Sequence, residues 1–135
     1  MRNPLTLLVL AIALAFAGIV YAITEIQYFT GKSEQNAILL EWKTGLEENL
    51  NRFEVERSAS NPNNFIYIGS LAAIGSNSYY YYRDELNTNP ITPIYFYRLK
   101  LVDNNGGHTY SNTITVTHVI SSVRDTWGSI KAIFR

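Results

Sequence analysis

The sequence predicts an all-β chain: an antiparallel sandwich of seven strands behind a short apolar leader. Three observations predict it. Several short runs alternate apolar and polar residues, the period of a half-buried strand. Clusters of Gly, Asn, Ser and Pro punctuate those runs at the spacing of an all-β sandwich or barrel. The body of the chain shows no helical period, and its 10 tyrosines, 6 phenylalanines and 2 tryptophans favour strands.

The clearest run lies within Ile94–Gly107. Tyr95, Tyr97, Leu99 and Leu101 point one way, and Phe96, Arg98 and Lys100 the other. It stops at Asp103-Asn104-Asn105-Gly106-Gly107, residues that tolerate positive φ and make tight turns. A further strand, His108 to His118, follows at once. This hairpin is expected to hold the centre of the core.

The other strands follow in order. Ile23 to Thr30 is the first, ended by the polar, turn-like Gly31 to Asn36. Ala37 to Thr44 is the second, with Ile38, Leu40 and Trp42 on its core face. Gly45 to Asn51 is a polar connection. Arg52 to Ser58 alternates again, with Phe53 and Val55 inward and Glu54 and Glu56 outward. Ala59 to Asn64 is a loop, Phe65 to Leu71 a short strand, and Gly75-Ser76-Asn77 a turn. Ser78 to Asp84 is a strand with aromatics on both faces. The prolines of Asn87 to Pro93 exclude regular structure there.

Met1 to Ala22 reads as a secretory signal peptide. Arg2 supplies the positive start, Leu5 to Val20 the apolar run, and Val20-Tyr21-Ala22 a cleavage site. The alternative is an uncleaved membrane anchor, although the run is short of the ~20 residues a spanning helix needs. Residues 23–119 then form one domain and residues 120–135 a short tail. The chain carries 11 basic and 11 acidic residues. That balance gives no basic excess for nucleic acid and no acidic block for disorder. It has no cysteine, so its stability rests on the core and not on disulfides.

Three stretches together carry a resemblance: Leu40-Glu41-Trp42-Lys43-Thr44, the Arg52–Ser58 run, and Tyr95–Gly107 leading into a last hairpin strand. In combination they resemble the fibronectin type III-like module of bacterial secreted and surface proteins, often found ahead of a C-terminal sorting segment. The resemblance implies two sheets. One would hold the first, second and fifth strands, and the other the third, fourth, sixth and seventh. It also implies that Trp42 packs at the centre and that Tyr95 forms a tyrosine corner. In that corner its hydroxyl bonds to backbone in the Leu86–Pro93 connection.

Candidate chemistry is sparse. Asp103–Gly107 has some look of a calcium loop but lacks the closing glutamate, and a hairpin turn accounts for it. His108 and His118 have no third ligand at metal spacing and read as partly exposed strand residues. Ser111, His108 and Asp103 could be written as a triad, with no nucleophile elbow to support it. No catalytic activity, cofactor or metal is expected. Glu54 and Glu56 face Arg98 and Lys100 on neighbouring strands, which suggests cross-strand ion pairs. Of Tyr79, Tyr80, Tyr81 and Tyr82, two must face outward. Tyr79 and Tyr81 are the candidates for a sugar or protein platform. The alternative is that they cover neighbours such as Leu39.

In the tail, Trp127, Ile130, Ile133 and Phe134 would share one face of a short helix, beside Arg124, Lys131 and Arg135. Trp127, Ile130 and Phe134 are therefore candidate docking residues. Three functions follow from these readings. The first is a non-catalytic exported interaction or structural module, partnered by a protein or polysaccharide of the cell envelope. The second is a carbohydrate-binding module using exposed tyrosines. The third is cargo or a subunit of a surface-export system, addressed by the tail. Membrane contact would come through the leader or the tail alone.

Overall fold

The computed structural model describes residues 3–4, 23–86 and 92–118. The leader and residues 119–135, with Trp127, Ile130 and Phe134, lie outside these. So does most of the Leu86–Pro93 connection expected to receive the Tyr95 hydroxyl. The elements of the described residues are strands: β1 (Ile26–Ser33), β2 (Ala37–Thr44), β3 (Leu50–Ala59), β4 (Ile66–Ala72), β5 (Tyr79–Glu85), β6 (Ile94–Asp103), β7 (His108–Tyr110) and β8 (Ile114–Thr117). They form two antiparallel sheets, one ordered β1-β2-β5 and one β4-β3-β6-β7 with β8 also on β6. This is the division of strands that the family resemblance implies.

Eight strands replace the expected seven because the last one breaks. β7 pairs with β6 through Lys100↔Tyr110, and β8 resumes at Tyr97↔Ile114, one residue out of step. The extra residue sits where Ser111 takes over the ladder. Its backbone N–H donates to Leu99 O at 2.9 Å, and its hydroxyl accepts from Leu99 N at 2.8 Å. A side chain thus replaces one rung and a bulge results. The first strand also differs from expectation. It runs on through Gly31, Lys32 and Ser33, paired with Leu40, Leu39 and Ile38. β3 likewise begins at Leu50, which is buried.

The core follows the alternation. Ile38, Leu40, Trp42, Phe53, Val55, Tyr97 and Leu99 are fully buried, and Tyr95 and Leu101 nearly so. Trp42 is the hub. Its ring stacks on Tyr80 at 5.5 Å and meets Phe53 and Phe29 edge-on at 5.4 and 6.2 Å. These contacts join β1, β2 and β5 of one sheet to β3 of the other.

Three polar side chains reach across the core. Arg57 of β3 donates to both carboxylate oxygens of Asp84 on β5 at 2.8 Å, and the Tyr97 hydroxyl donates to Asp84 Oδ2 at 2.7 Å. Burial and then the Asp84 hydrogen bond push the Tyr97 hydroxyl far above its ordinary pKa. The Tyr82 hydroxyl donates to Ile68 O of β4 at 2.8 Å. A β-carbon at Gly69 would stand 2.6 Å from the Tyr82 ring, so glycine is what lets that ring lie against β4.

Candidate functional site

The parity of β5 sorts its tyrosines. Tyr80 is 3% exposed and Tyr82 partly buried, while Tyr79 and Tyr81 stand 65% and 69% exposed. The register sets Tyr79 beside Lys43 and Tyr81 beside Glu41 on β2, with Tyr28 and Thr30 of β1 beyond. Leu39 pairs instead with Arg83, so neither outward tyrosine stands opposite it. Tyr28 was not singled out by the sequence. Its ring meets Tyr79 edge-on at 5.9 Å, with planes 70° apart. The hydrogen bond with Tyr79 is the main cause pushing the Tyr28 hydroxyl up to about 12. Tyr28 and Tyr79 are therefore not coplanar and form no flat platform.

Beside the outward tyrosines lies an apolar cleft of about 510 Å³, lined by Leu71, Ala72, Ile74, Tyr79, Tyr80 and Tyr81. Ile74, on its rim, is 70% exposed. The cleft is preformed because the loop beneath it is tied down. The Tyr80 hydroxyl donates to Glu47 Oε1 at 2.6 Å and accepts from Ile74 N at 2.9 Å. Glu47 also accepts from the Thr44 hydroxyl at 2.6 Å and from Gly75 N at 3.1 Å. Burial, then the bond to Glu47, pushes the Tyr80 hydroxyl up to about 12. Gly75 at φ 113° and Asn77 at φ 57° make the tight turn that places these donors.

The opposite face of the molecule is different. Arg98 pairs with Glu56 at 2.7 Å, Lys100 with Glu54 at 3.9 Å, and Arg52 with Glu54 at 2.9 Å. The Arg98 guanidinium lies 4.2 Å from the ring centroids of both Phe65 and Tyr110. The expected cross-strand ion pairs are present and occupy this face.

The remaining candidates do not converge. Asp103–Gly107 is a turn in which Gly106 takes φ 87° and donates to Asp103 O at 3.1 Å. The Ser111 hydroxyl is engaged with Leu99 N and Asn112 O, and His108 packs edge-on against Tyr110. His118 corrects an expectation. It is not a partly exposed strand residue but lies past β8, 6% exposed, its Nδ1 3.0 Å from the Ser33 hydroxyl. Among the described residues no group of three or more His, Cys, Asp or Glu is placed to hold a metal ion.

No protein-family model and no curated protein matches the chain. Solved structures do. The 6th fibronectin type III domain from human fibronectin type III domain containing protein 3 matches 79% of this chain and 94% of its own. Its TM-score is 0.54 and its identity 13%. The fold is therefore fibronectin type III-like. Pectate lyase PelI from Erwinia chrysanthemi, solved in complex with tetragalacturonic acid, is 27% identical over 70% of this chain, with a TM-score of 0.52. Pectate lyase Pel3 from Pectobacterium carotovorum is 24% identical over the same share, at 0.54. The match spans only 28% of the first lyase and 27% of the second.

Proposed function

We propose that the protein is a non-catalytic, exported interaction module that meets its partner through the Tyr79–Tyr81 face. One observation carries this reading. The face of the β1-β2-β5 sheet leaves two large aromatic side chains exposed beside an apolar cleft, whereas the middle strands of the other outer face, β3 and β6, are occupied by their own ion pairs. Aromatic side chains that keep their area in water are a common anchor for a partner. The similarity to about a quarter of a pectate lyase supports a module role, because it shows this sandwich recurring as part of a larger protein.

A second reading is a polysaccharide as the partner. It draws on the likeness to a lyase solved with tetragalacturonic acid and on the exposed tyrosines. The 70° angle between Tyr28 and Tyr79 counts against a flat sugar platform.

The test is a pair of full-chain variants. In one, Tyr79→Ser is combined with Tyr81→Ser; in the other, Arg98→Ala is combined with Glu56→Gln. Binding to an envelope fraction and to oligogalacturonate is then measured. The tyrosine variant should lose binding to one of the two while the charge variant keeps it. Equal retention by both would remove the proposal.

A further inference from the structure

We propose that the free edge of β5 docks an extended, uncharged polypeptide segment as a fourth strand of the β1-β2-β5 sheet. An apolar side chain of that segment would sit in the Leu71–Ile74–Tyr80 cleft. This rests on the reading of the tyrosine face as an interaction surface and names what that surface takes.

The backbone geometry comes first. Thr44 N donates to Ser78 O at 3.0 Å at one end of the β2–β5 pairing, and Leu86 N donates to Asn36 O at 2.8 Å at the other. The register between them is unbroken. Antiparallel pairing alternates, so Tyr80, Tyr82 and Asp84 turn their N–H and C=O groups to β2. Tyr79, Tyr81, Arg83 and Glu85 turn theirs to the open edge. β5 ends its sheet, and among the described residues no backbone group meets them there. The residues that expose aromatic side chains thus also expose a row of backbone donors and acceptors.

Sheet edges are normally blunted, and the other three formed by the described strands are. β1 has a register shift after Ile26, carries Lys32, and packs Gly31 against Val116 of β8. β4 pairs with β3 across a shift at Val55/Glu56, and its Ile68 O is taken by the Tyr82 hydroxyl. The β7–β8 edge is broken at Ser111. The Tyr79–Tyr82 half of β5 has no bulge, proline or charge.

The chemistry of the occupant follows. A row of N–H and C=O groups is matched by another backbone. Arg83 already pairs with Glu34 and Glu85 and so offers no unpaired cation to an acidic segment, and the Tyr79–Tyr82 half carries no charge of its own, which favours an uncharged segment. A second copy of β5 fits poorly. Its inward side chains would be Tyr80, Tyr82 and Asp84, and these are held by Glu47, Ile68 O and Arg57 with Tyr97 in their own core. None is free to enter a neighbour's cleft. An added strand of another sequence offers every second side chain to the cleft and the others to the Tyr79–Tyr81 face.

The experiment uses the full chain as bait for a displayed random heptapeptide library. The best enriched peptide is then synthesised with and without methyl groups on alternate backbone nitrogens. Enriched peptides should carry apolar residues at every second position. N-methylation should weaken binding about tenfold or more. Bound peptide should protect the amides of Tyr79, Tyr81, Arg83 and Glu85 from hydrogen exchange. Tyr81→Pro removes an edge-facing N–H and no bond to β2, so it should abolish binding, while Tyr81→Thr, which loses the ring but keeps the N–H, should weaken it only in part, by about tenfold. The methylated peptide keeps the test decisive if the proline variant does not fold. No enrichment overturns the proposal. Equal loss in the proline and threonine variants, with no effect of N-methylation, overturns strand addition and leaves the tyrosine face as the interaction surface. Dimerisation that Tyr81→Pro abolishes would assign the edge to a second copy and also overturn it.

Discussion

The two outer faces of the sandwich start from similar material and end differently. On the face of β3 and β6, Glu54 and Glu56 stand opposite Lys100 and Arg98, and each charge finds its partner. The Phe65 and Tyr110 rings both pack against the Arg98 guanidinium. On the face of β1, β2 and β5, Tyr79 and Tyr81 lie on the last strand of their sheet, with a paired strand on one side alone among the described residues. The difference teaches that position in the sheet decides what a strand's outward residues do. Between two strands they satisfy one another, whereas at an unblunted edge they remain available.

The largest test asks whether the two faces share one foundation. Trp42 touches Phe29, Phe53 and Tyr80, so it supports both sheets. Trp42→Ala should cost about 3–5 kcal/mol, read as a lowered midpoint in chemical denaturation. A midpoint that stays in place would mean that the faces do not rest on this core.

The next test concerns the polar link between the sheets. Asp84→Asn leaves Arg57 partly buried without its carboxylate and should cost about 3 kcal/mol. Arg57 holds its proton more firmly than usual: burial opposes the charge, and the hydrogen bond and charge of Asp84, with smaller help from Tyr97 and Tyr95, together outweigh it. Alkaline pH attacks the same interior through the tyrosines. Tyr80 is raised from 10.0 to about 12, and Tyr97 is raised further still. A raised folded-state pKa means the fold favours the neutral phenol. Its contribution is therefore complete below about pH 10 and is lost as pH rises toward 12 and beyond. Tyrosinate absorbance and circular dichroism followed together should show these hydroxyls ionising only as the sheets unfold. Ionisation of all the tyrosines near pH 10 with the fold intact would contradict this account.

Most of the interior was legible in the sequence because parity is local information. Ile38, Leu40 and Trp42, and Tyr95 through Leu101, needed only their own alternation. The Arg57–Asp84–Tyr97 cluster joins three strands, and no single run announces it. Yet Asp84 shares the inward parity of Tyr80 and Tyr82, a signal that could have been read. The break at Ser111 was hidden because a serine hydroxyl replaces a backbone rung without disturbing composition. At the candidate site, alternation required two of Tyr79, Tyr80, Tyr81 and Tyr82 to face outward and offered Tyr79 and Tyr81 as candidates without fixing which pair. It could not reveal that β5 is an edge, that Tyr28 reaches over to Tyr79, or that Leu71 and Ile74 make a cleft beside them. Those depend on strand order.

A smaller effect is expected on the closed face. Arg98→Ala removes one ion pair and two ring contacts and should cost about 1 kcal/mol, seen as a shift of a few degrees in melting. It should leave partner binding unchanged. Lost binding with an unchanged melt would move the interaction surface to the ion-paired face and reverse the comparison.

The smallest stability effect should come from the residue given the largest role in binding. Tyr81 is 69% exposed and lies on the open edge strand, so Tyr81→Ser should shift stability by no more than about 0.5 kcal/mol. Tyr79→Ser should cost somewhat more, about 0.5–1 kcal/mol, because its ring meets Tyr28. Measured beside Arg98→Ala, the order of effects should invert between the two readouts. Arg98 should matter more for melting and Tyr81 for binding. A side chain that mainly covers its neighbours cannot produce that inversion, since its removal would expose them and lower the melting temperature. If Tyr81→Ser destabilises the fold more than Arg98→Ala does, then Tyr81 is structural cover. The two faces would then differ in composition and not in role.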